Sequence, residues 1–154
     1  MQPHQQLIKG LILPELELIH IQRLSASKYR WQLKKEKTGA VCPHCAGLSL
    51  SIYDSRSVRV RDRPYQEKSI ELEIKKNRYF CKPCNRVFTE PIAGILPGRK
   101  TTQRLRKKIQ WACLHFSDLK KVQKTYQICS GLVYQAFCEQ LELRLRETKN
   151  DGFG

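Results

Sequence analysis

The chain has 154 residues, enough for one domain or two very small ones, and only 40% of them are hydrophobic. Its 29 Lys and Arg outnumber its 14 Asp and Glu, giving a formal net charge of +15, which favours a polyanionic partner such as nucleic acid. No stretch approaches the roughly 20 apolar residues of a bilayer span, so we expect no membrane partner.

Two β-strands are predicted near the N-terminus. Residues 16–22 are rich in Leu and Ile and are followed by a turn. Tyr29, Trp31 and Leu33 then alternate with polar residues, the period of a half-buried strand. We therefore predict a β-hairpin within residues 1–39 that packs on the segment after it.

Two Cys-x-x-Cys runs, at residues 42–45 and 81–84, follow the hairpin. Four thiolates in two close pairs are the ligand set of a closed tetrahedral zinc site, whereas separate reduced pairs or a redox dithiol are the alternatives. A closed site builds structure, so we predict one structural Zn²⁺ in a zinc-finger domain at residues 40–92. His44 is a less suitable ligand because four cysteines suffice. The predicted ligands are Cys42, Cys45, Cys81 and Cys84.

The insert between the two cysteine pairs also alternates. Leu48, Leu50 and Ile52 share one face, and a second alternating run covers residues 58–61. A third covers residues 70–75, after a turn that contains Pro64. The insert is therefore predicted to be a small antiparallel sheet whose ends are joined by the metal.

The period changes to helical after a linker at residues 91–98, which contains two Pro and two Gly. A first helix is predicted to begin near Thr101-Thr102, a second to be capped by Ser117-Asp118, and a third to bury Val133, Phe137 and Leu141. A short second helix, a tight turn and a third helix form a helix-turn-helix, predicted at residues 99–149, with a generic three-helix unit as the alternative. The fold class is thus α+β: a small antiparallel-sheet four-cysteine zinc ribbon followed by a three-helix helix-turn-helix unit.

Basic residues form two clusters along the chain. Such clusters hold phosphates without reading sequence, although any single member could be an ordinary solvated charge. In a helix-turn-helix, the start of the third helix enters the major groove, where Gln135 suits adenine and Tyr134 suits a phosphate or a thymine methyl. The predicted DNA contacts are Arg56, Arg59, Arg61, Arg63, Arg99, Lys100, Arg104, Lys107, Lys108, Ser130, Tyr134 and Gln135.

No catalytic constellation is predicted. Asp54, Asp62 and Glu90 lie in the zinc-sheet region, but their spacing does not make them converge as a two-metal carboxylate site. Asp62 is interpreted instead as an intramolecular partner of the flanking Arg61 and Arg63. There is no Gly-rich phosphate loop and no nucleophile elbow, so we expect no enzyme activity and no small-molecule substrate.

Several runs together resemble the N-terminal part of bacterial insertion-sequence transposases of the L-three (ISL-three) family. They are Cys42–Cys45, Tyr53–Arg56, Val58–Asp62, Arg78–Cys81 and Val87–Glu90. The resemblance covers roughly residues 10 to 147, and it implies a zinc finger and a helix-turn-helix that bind the inverted repeats at transposon ends. Members of the family continue into a long DDE-type catalytic domain.

The chain departs from the family pattern in four places. Ala46 stands where Gly is usual beside the first knuckle, and Asp62-Arg63-Pro64 replaces Asp-Leu-Pro. Gln127 and Cys129 occupy the turn positions that usually carry Gly and Ser, and Cys is a poor helix N-cap. The DDE acids are absent, which predicts an excised fragment or a truncated product that binds the ends without cutting them.

The expected function is therefore sequence-specific binding of double-stranded DNA at transposon ends. With seven cysteines and no export signal, we expect a cytoplasmic, nucleoid-associated protein. A stand-alone repressor or inhibitor of transposition is one alternative, and an RNA-binding or protein-binding zinc ribbon is another. A second copy of the chain and the full-length transposase are further candidate partners.

Overall fold

The structure, a computed structural model, describes residues 10–116 and 118–151. Met1–Lys9, part of the predicted N-terminal unit, and Ser117, a predicted helix cap, lie outside the described residues. The strands are β1 (Leu16–Ser25), β2 (Lys28–Lys35), β3 (Ala40–Val41), β4 (Leu48–Ser49), β5 (Ile52–Tyr65), β6 (Lys68–Cys81) and β7 (Arg86–Thr89). The helices are α1 (Gln103–His115), α2 (Leu119–Tyr126) and α3 (Ser130–Asp151).

The main sheet has the strand order β1-β2-β6-β5, and β7 pairs with the second half of β6. The predicted N-terminal hairpin is present as β1 and β2, and β5 pairs with β6 in the expected antiparallel sense. The hairpin was predicted to pack on the zinc-finger segment, but the sequence did not predict that it joins the same sheet: β2 runs parallel to β6 from Lys28↔Ser69 to Lys34↔Lys75. A parallel pair needs a long crossover, and here residues 36–67, which contain the first cysteine pair and β5, provide it.

The larger core covers one face of this sheet. Trp31 and Leu33 of β2 are buried, as their alternation predicted, beside Leu72 and Ile74 of β6. The opposite face of the same strands carries polar side chains. The first half of β6 and the part of β5 paired with it therefore have one buried face and one solvent-exposed face, which explains why apolar and polar residues alternate in these strands.

The segment predicted as a linker is packed onto that core. Ile92 and Ile95 are 4% and 9% exposed, respectively, and both belong to the buried cluster under the sheet. Gly94 adopts a positive φ of 87°, and a Cβ on it would lie 2.8 Å from the Leu13 side chain. The prediction of a free linker was wrong for residues 91–95, because two isoleucines there gain more by covering the core than by staying in solvent.

The three helices enclose a second core. Leu105, Ile109 and Val122 are fully buried, and the predicted caps are present: Thr102 accepts from the Leu105 N–H, and Asp118 from the Lys121 N–H. For the third helix, the predicted burial holds at Val133, whereas Phe137 is only half-buried and Leu141 is exposed.

Val133 and Ala136 form the buried stripe of α3, whereas Leu141 is 42% exposed. Residues 141–149 are exposed throughout, because Glu139 already contacts Arg106 near the start of α1 and α3 continues past that point.

Candidate metal centre and nucleic-acid interface

Each cysteine pair sits in a tight turn between two strands. The first turn connects β3 to β4, where Cys42 N–H donates to Gly47 O at 2.8 Å. The second connects β6 to β7. The residues that follow the two pairs, Ala46 and Asn85, both adopt left-handed backbone conformations, with φ of 58° and 51°. This repeated geometry turns both sulfurs of each pair toward the same point.

The four predicted ligands converge. Their Sγ atoms all lie within 4.8 Å of one another. The Cys42 and Cys84 sulfurs are 4.0 Å apart, and the Cys45 and Cys81 sulfurs are 3.5 Å apart. A tetrahedron with Zn–S bonds of about 2.3 Å has an edge of about 3.8 Å, so the arrangement fits one zinc ion. His44 is exposed and lies outside the group.

The thiols have unequal proton affinities. Burial raises the pKa of Cys42, but backbone N–H groups of Cys45 and His44 more than offset this, and the pKa falls to about 7. The hydrogen bond to Cys45, followed by burial, raises the pKa of Cys84 to about 12. Thiolates this close repel one another, and a divalent cation supplies the charge that allows all four to ionise.

A protein-family comparison covers the same segment. Residues 38–84 match the family model described as the zinc-finger of transposase IS204/IS1001/IS1096/IS1165. Together with the sulfur geometry, this decides the cofactor. The site is a structural zinc site.

The matched family is a zinc finger and not a catalytic domain, and it associates the segment with transposases and, in general, with nucleic acid. The chain has no significant match among curated proteins or solved structures. Within the described residues, no helix is both long and apolar enough to cross a bilayer.

The zinc-finger interior is small and already filled. It contains Tyr79, whose ring stacks on Phe88 with centroids 6.0 Å apart, together with Ala40 and the cysteines. The sequence alternation around Leu48 holds, but the leucines face outward, with Leu48 68% exposed. Ser49 takes the buried position because its hydroxyl can donate to Phe80 O, at 2.6 Å.

Three of the predicted basic contacts meet on the polar face of the sheet. Arg59, Arg61 and Lys100 line a shallow depression of about 610 Å³. Arg59 forms an ion pair with Glu73 at 3.2 Å, so part of its charge is compensated. The guanidinium of Arg61 donates to Ser69 Oγ and is not a simple solvated charge.

The remaining basic contacts are dispersed. Arg56 is exposed and lies 3.9 Å from Asp54, whereas Arg63 is half-buried. Arg99 lies 3.7 Å from Glu139, and Arg104 forms an internal ion pair with Asp62. The exposed members of the set on α1 are Lys107 and Lys108.

The predicted base-reading residues lie at the start of α3. Ser130 and Gln135 are exposed, and Tyr134 is 64% exposed. Their role in DNA binding stays a prediction. Lys120, Lys121 and Lys124 are also exposed on the neighbouring α2, and the sequence analysis did not single them out. The sequence could have revealed these three lysines as a basic surface, because they follow the predicted cap Asp118 within one short helix.

The three acids considered for catalysis have separate partners. Asp54 binds the Arg78 guanidinium through both oxygens, at 2.6 and 2.7 Å, and this hydrogen bonding lowers the pKa of Asp54. Glu90 accepts from a backbone N–H of β6. The interpretation of Asp62 holds only in part. Its carboxylate accepts the backbone N–H of the flanking Arg63 at 2.8 Å, but its side-chain partners are Arg104 and Thr102, because it faces the start of α1.

Proposed function

We propose that this chain binds double-stranded DNA and recognises the terminal inverted repeats of a transposon. The observation that carries the proposal is the match of residues 38–84 to a transposase zinc finger, with its four cysteine sulfurs placed for one metal ion. A net charge of +15 supports a polyanionic partner. Zinc supplies folding energy here, and the DNA contacts come from side chains that the folded chain presents.

Two surfaces carry the proposed contacts. The polar sheet face presents Arg59 and Lys100 beside the depression, and the solvated Lys107 and Lys108 continue the positive charge on α1. These groups would hold phosphates and contribute affinity that depends steeply on salt. They carry no sequence information by themselves.

Sequence recognition is assigned to α3. We propose that α1, α2 and α3 form a helix-turn-helix, in which the turn at residues 127–129 brings the start of α3 to the major groove. Gln127 adopts the left-handed conformation, with φ of 52° and ψ of 48°, that Gly usually supplies in such a turn. Exposed Gln135 can then bind adenine through two hydrogen bonds, and Tyr134 can contact a phosphate or a thymine methyl.

Phosphate holding and base reading are proposed to lie in successive parts of the chain. The hairpin at 1–39 and the zinc finger at 40–92 share one sheet through β2 and β6, and this sheet holds phosphates together with Lys100, Lys107 and Lys108 at the start of the helical unit. The unit at 99–149 forms the base-reading part. The two parts would bind neighbouring segments of one duplex.

The test measures binding of the zinc-loaded chain to a fluorescent transposon-end duplex and to a scrambled duplex of equal length. We expect tighter binding to the first, with affinity falling linearly on a log–log salt plot. Gln135→Ala should weaken only the specific complex, by about 1–3 kcal/mol. Half-buried Gln140, further along α3, serves as the matched control. Stronger competition by a structured RNA than by either duplex would overturn the proposal in favour of an RNA-binding zinc ribbon.

A further inference from the structure

Two adjacent residues of β5 connect the sheet to the helical unit. The Asp62 carboxylate is 3% exposed and accepts a hydrogen bond from Thr102 Oγ1 at 2.7 Å. It also accepts from Arg104 Nε at 2.8 Å. Thr102 caps α1, and Arg104 lies in the first turn of that helix. One buried carboxylate therefore holds the beginning of the helical unit against the sheet.

The backbone reinforces this contact. Arg61 N–H donates to Lys100 O at 2.8 Å, and Thr102 N–H donates to Arg61 O at 2.9 Å. The segment before α1 thus adds a short parallel bridge to the edge of β5. Strand edges that are covered in this way are protected from pairing with other chains.

The Arg61 side chain reaches further, to the turn that precedes α3. Its Nη2 donates to Ser69 Oγ and to Gln127 O, both at 2.6 Å. Gln127 ends α2 and begins that turn. A guanidinium with planar, fixed donors suits such a two-partner contact better than a flexible ammonium would.

We infer that Arg61, Asp62, Thr102, Arg104 and Gln127 form a clasp that makes the sheet and the helices one rigid body. Within the clasp, Arg61 is a positioning residue, because it sets where the turn, and with it the start of α3, stands relative to the polar sheet face. The inference rests on the proposed function only for its consequence: the phosphate-holding and base-reading surfaces meet the duplex at a fixed spacing.

A rigid connection matters because a flexible one would reduce affinity. Two surfaces joined rigidly bind their second site at a high effective concentration, whereas two loosely tethered surfaces lose much of that gain. On this inference Arg61 contributes to binding by positioning the turn, and not by holding a phosphate as the sequence analysis predicted. Its charge is already directed at Gln127 O and Ser69 Oγ.

The test compares Arg61→Ala with Arg59→Ala in the zinc-loaded full chain. Arg59 lies on the same strand and pairs with Glu73 of the sheet, so it is the matched control. We expect Arg61→Ala to weaken binding to the transposon-end duplex about tenfold or more, with the salt slope unchanged. Arg59→Ala should cost only a few-fold and reduce the slope by about 0.9, as one lost phosphate contact does.

A measurement without DNA separates the clasp from the proposed function. In backbone ¹⁵N relaxation, the wild type should tumble as one body, and Arg61→Ala should give the sheet and the helices different correlation times. Arg104→Gln removes the contact with Asp62, the other half of the clasp, and should also give the sheet and the helices different correlation times. It replaces Arg61→Ala in the test if that variant fails to retain zinc. A common correlation time in both variants overturns the inference. The inference is also overturned if Arg61→Ala reduces the salt slope and weakens binding to the specific and the scrambled duplex equally. If the wild type binds no duplex, the proposed function falls, and the relaxation data still decide the clasp.

Discussion

Glu90 and Asn77 are bound to each other twice. The Glu90 carboxylate accepts the Asn77 backbone N–H at 2.7 Å, and the Glu90 backbone N–H donates to Asn77 O at 3.2 Å. This pair sits where β6 changes its neighbour, since pairing with β2 ends at Lys75 and pairing with β7 begins at Arg78. The side chain therefore satisfies a backbone donor at the junction between two ladders.

Replacing Glu90 should test this role. Glu90→Ala leaves the buried Asn77 N–H without its acceptor, and we expect the free energy of unfolding to fall by about 1–3 kcal/mol. Glu90→Gln keeps a carbonyl oxygen at the same place and should cost less. Urea unfolding of both variants in the presence of zinc measures the difference. Equal losses would mean that the charge of Glu90, which lies 3.9 Å from Lys35 Nζ, matters more than the hydrogen bond.

Ala46 should be a site of easy stabilisation. Its φ of 58° is a left-handed conformation that costs a residue with a Cβ roughly 1–2 kcal/mol and costs glycine almost nothing. After allowing for the greater freedom of glycine in the unfolded chain, we expect Ala46→Gly to raise the free energy of unfolding by about 0.5–1 kcal/mol.

The control for that substitution is Ala26→Gly. Ala26 is also exposed and also lies in a turn, but it is not among the residues with positive φ. Ala26→Gly should lower the free energy of unfolding by a few tenths of a kcal/mol, because glycine there only increases the entropy of the unfolded chain. A gain at both positions, or a loss at both, would contradict the strain at Ala46.

Removing zinc should unfold the finger before the helices. The finger core contains few buried residues besides its ligands, whereas the helical core has Leu105, Ile109 and Val122 fully buried. Metal binding is therefore a large part of the finger's folding energy. Hydrogen exchange after chelation should show lost protection in β7 and in the end of β6 that pairs with it, Arg78 to Cys81, while amides of α1 stay protected.

The ligand assignment has its own controls. Cys81→Ser should abolish stoichiometric zinc binding, because Cys81 is one of the four converging sulfurs. Cys138→Ser should leave the zinc content unchanged, since Cys138 is exposed on α3. Zinc retained by Cys81→Ser, or a chelated protein in which β7 and the paired end of β6 keep full protection, would refute a structural metal.

What the sequence predicted well is local. The Cys-x-x-Cys spacing is short enough to define a ligand pair without knowledge of the fold. Thr102 and Asp118 act as caps through contacts three residues away, and the alternation of Trp31 and Leu33 reports one strand's own environment. Signals of this kind depend on neighbours in the chain and survive whatever the tertiary structure does.

What the sequence could not predict is long-range. The parallel pairing of β2 with β6 depends on a crossover of about thirty residues, for which no local pattern exists. Arg61 and Asp62 stand in a run that resembles solvated charge, yet their partners lie at Gln127 and Arg104. Leu141 fits a helical stripe, but it is exposed because α3 there continues past the start of α1.

The pair formed by Glu139 of α3 and Arg106 of α1 should make stability depend on pH. Arg106 donates to both oxygens, at 2.7 and 3.0 Å, and this hydrogen bonding lowers the pKa of Glu139 below its usual 4.5. A carboxyl group whose pKa is lower in the folded state stabilises the fold above its unfolded pKa. That contribution is lost as the pH falls through the lower, folded value.

Glu139→Gln therefore should cost about 1–2 kcal/mol of unfolding free energy at pH 7, given a charged hydrogen-bonded pair that is partly exposed. The difference between wild type and variant should stay constant from pH 7 to about 5 and shrink below 4.5. Urea unfolding of both proteins at each pH measures this difference. Zinc release in acid lowers the stability of both proteins alike and therefore does not change the difference. A difference that persisted unchanged to pH 3.5 would show that Glu139 contributes by packing and not by charge.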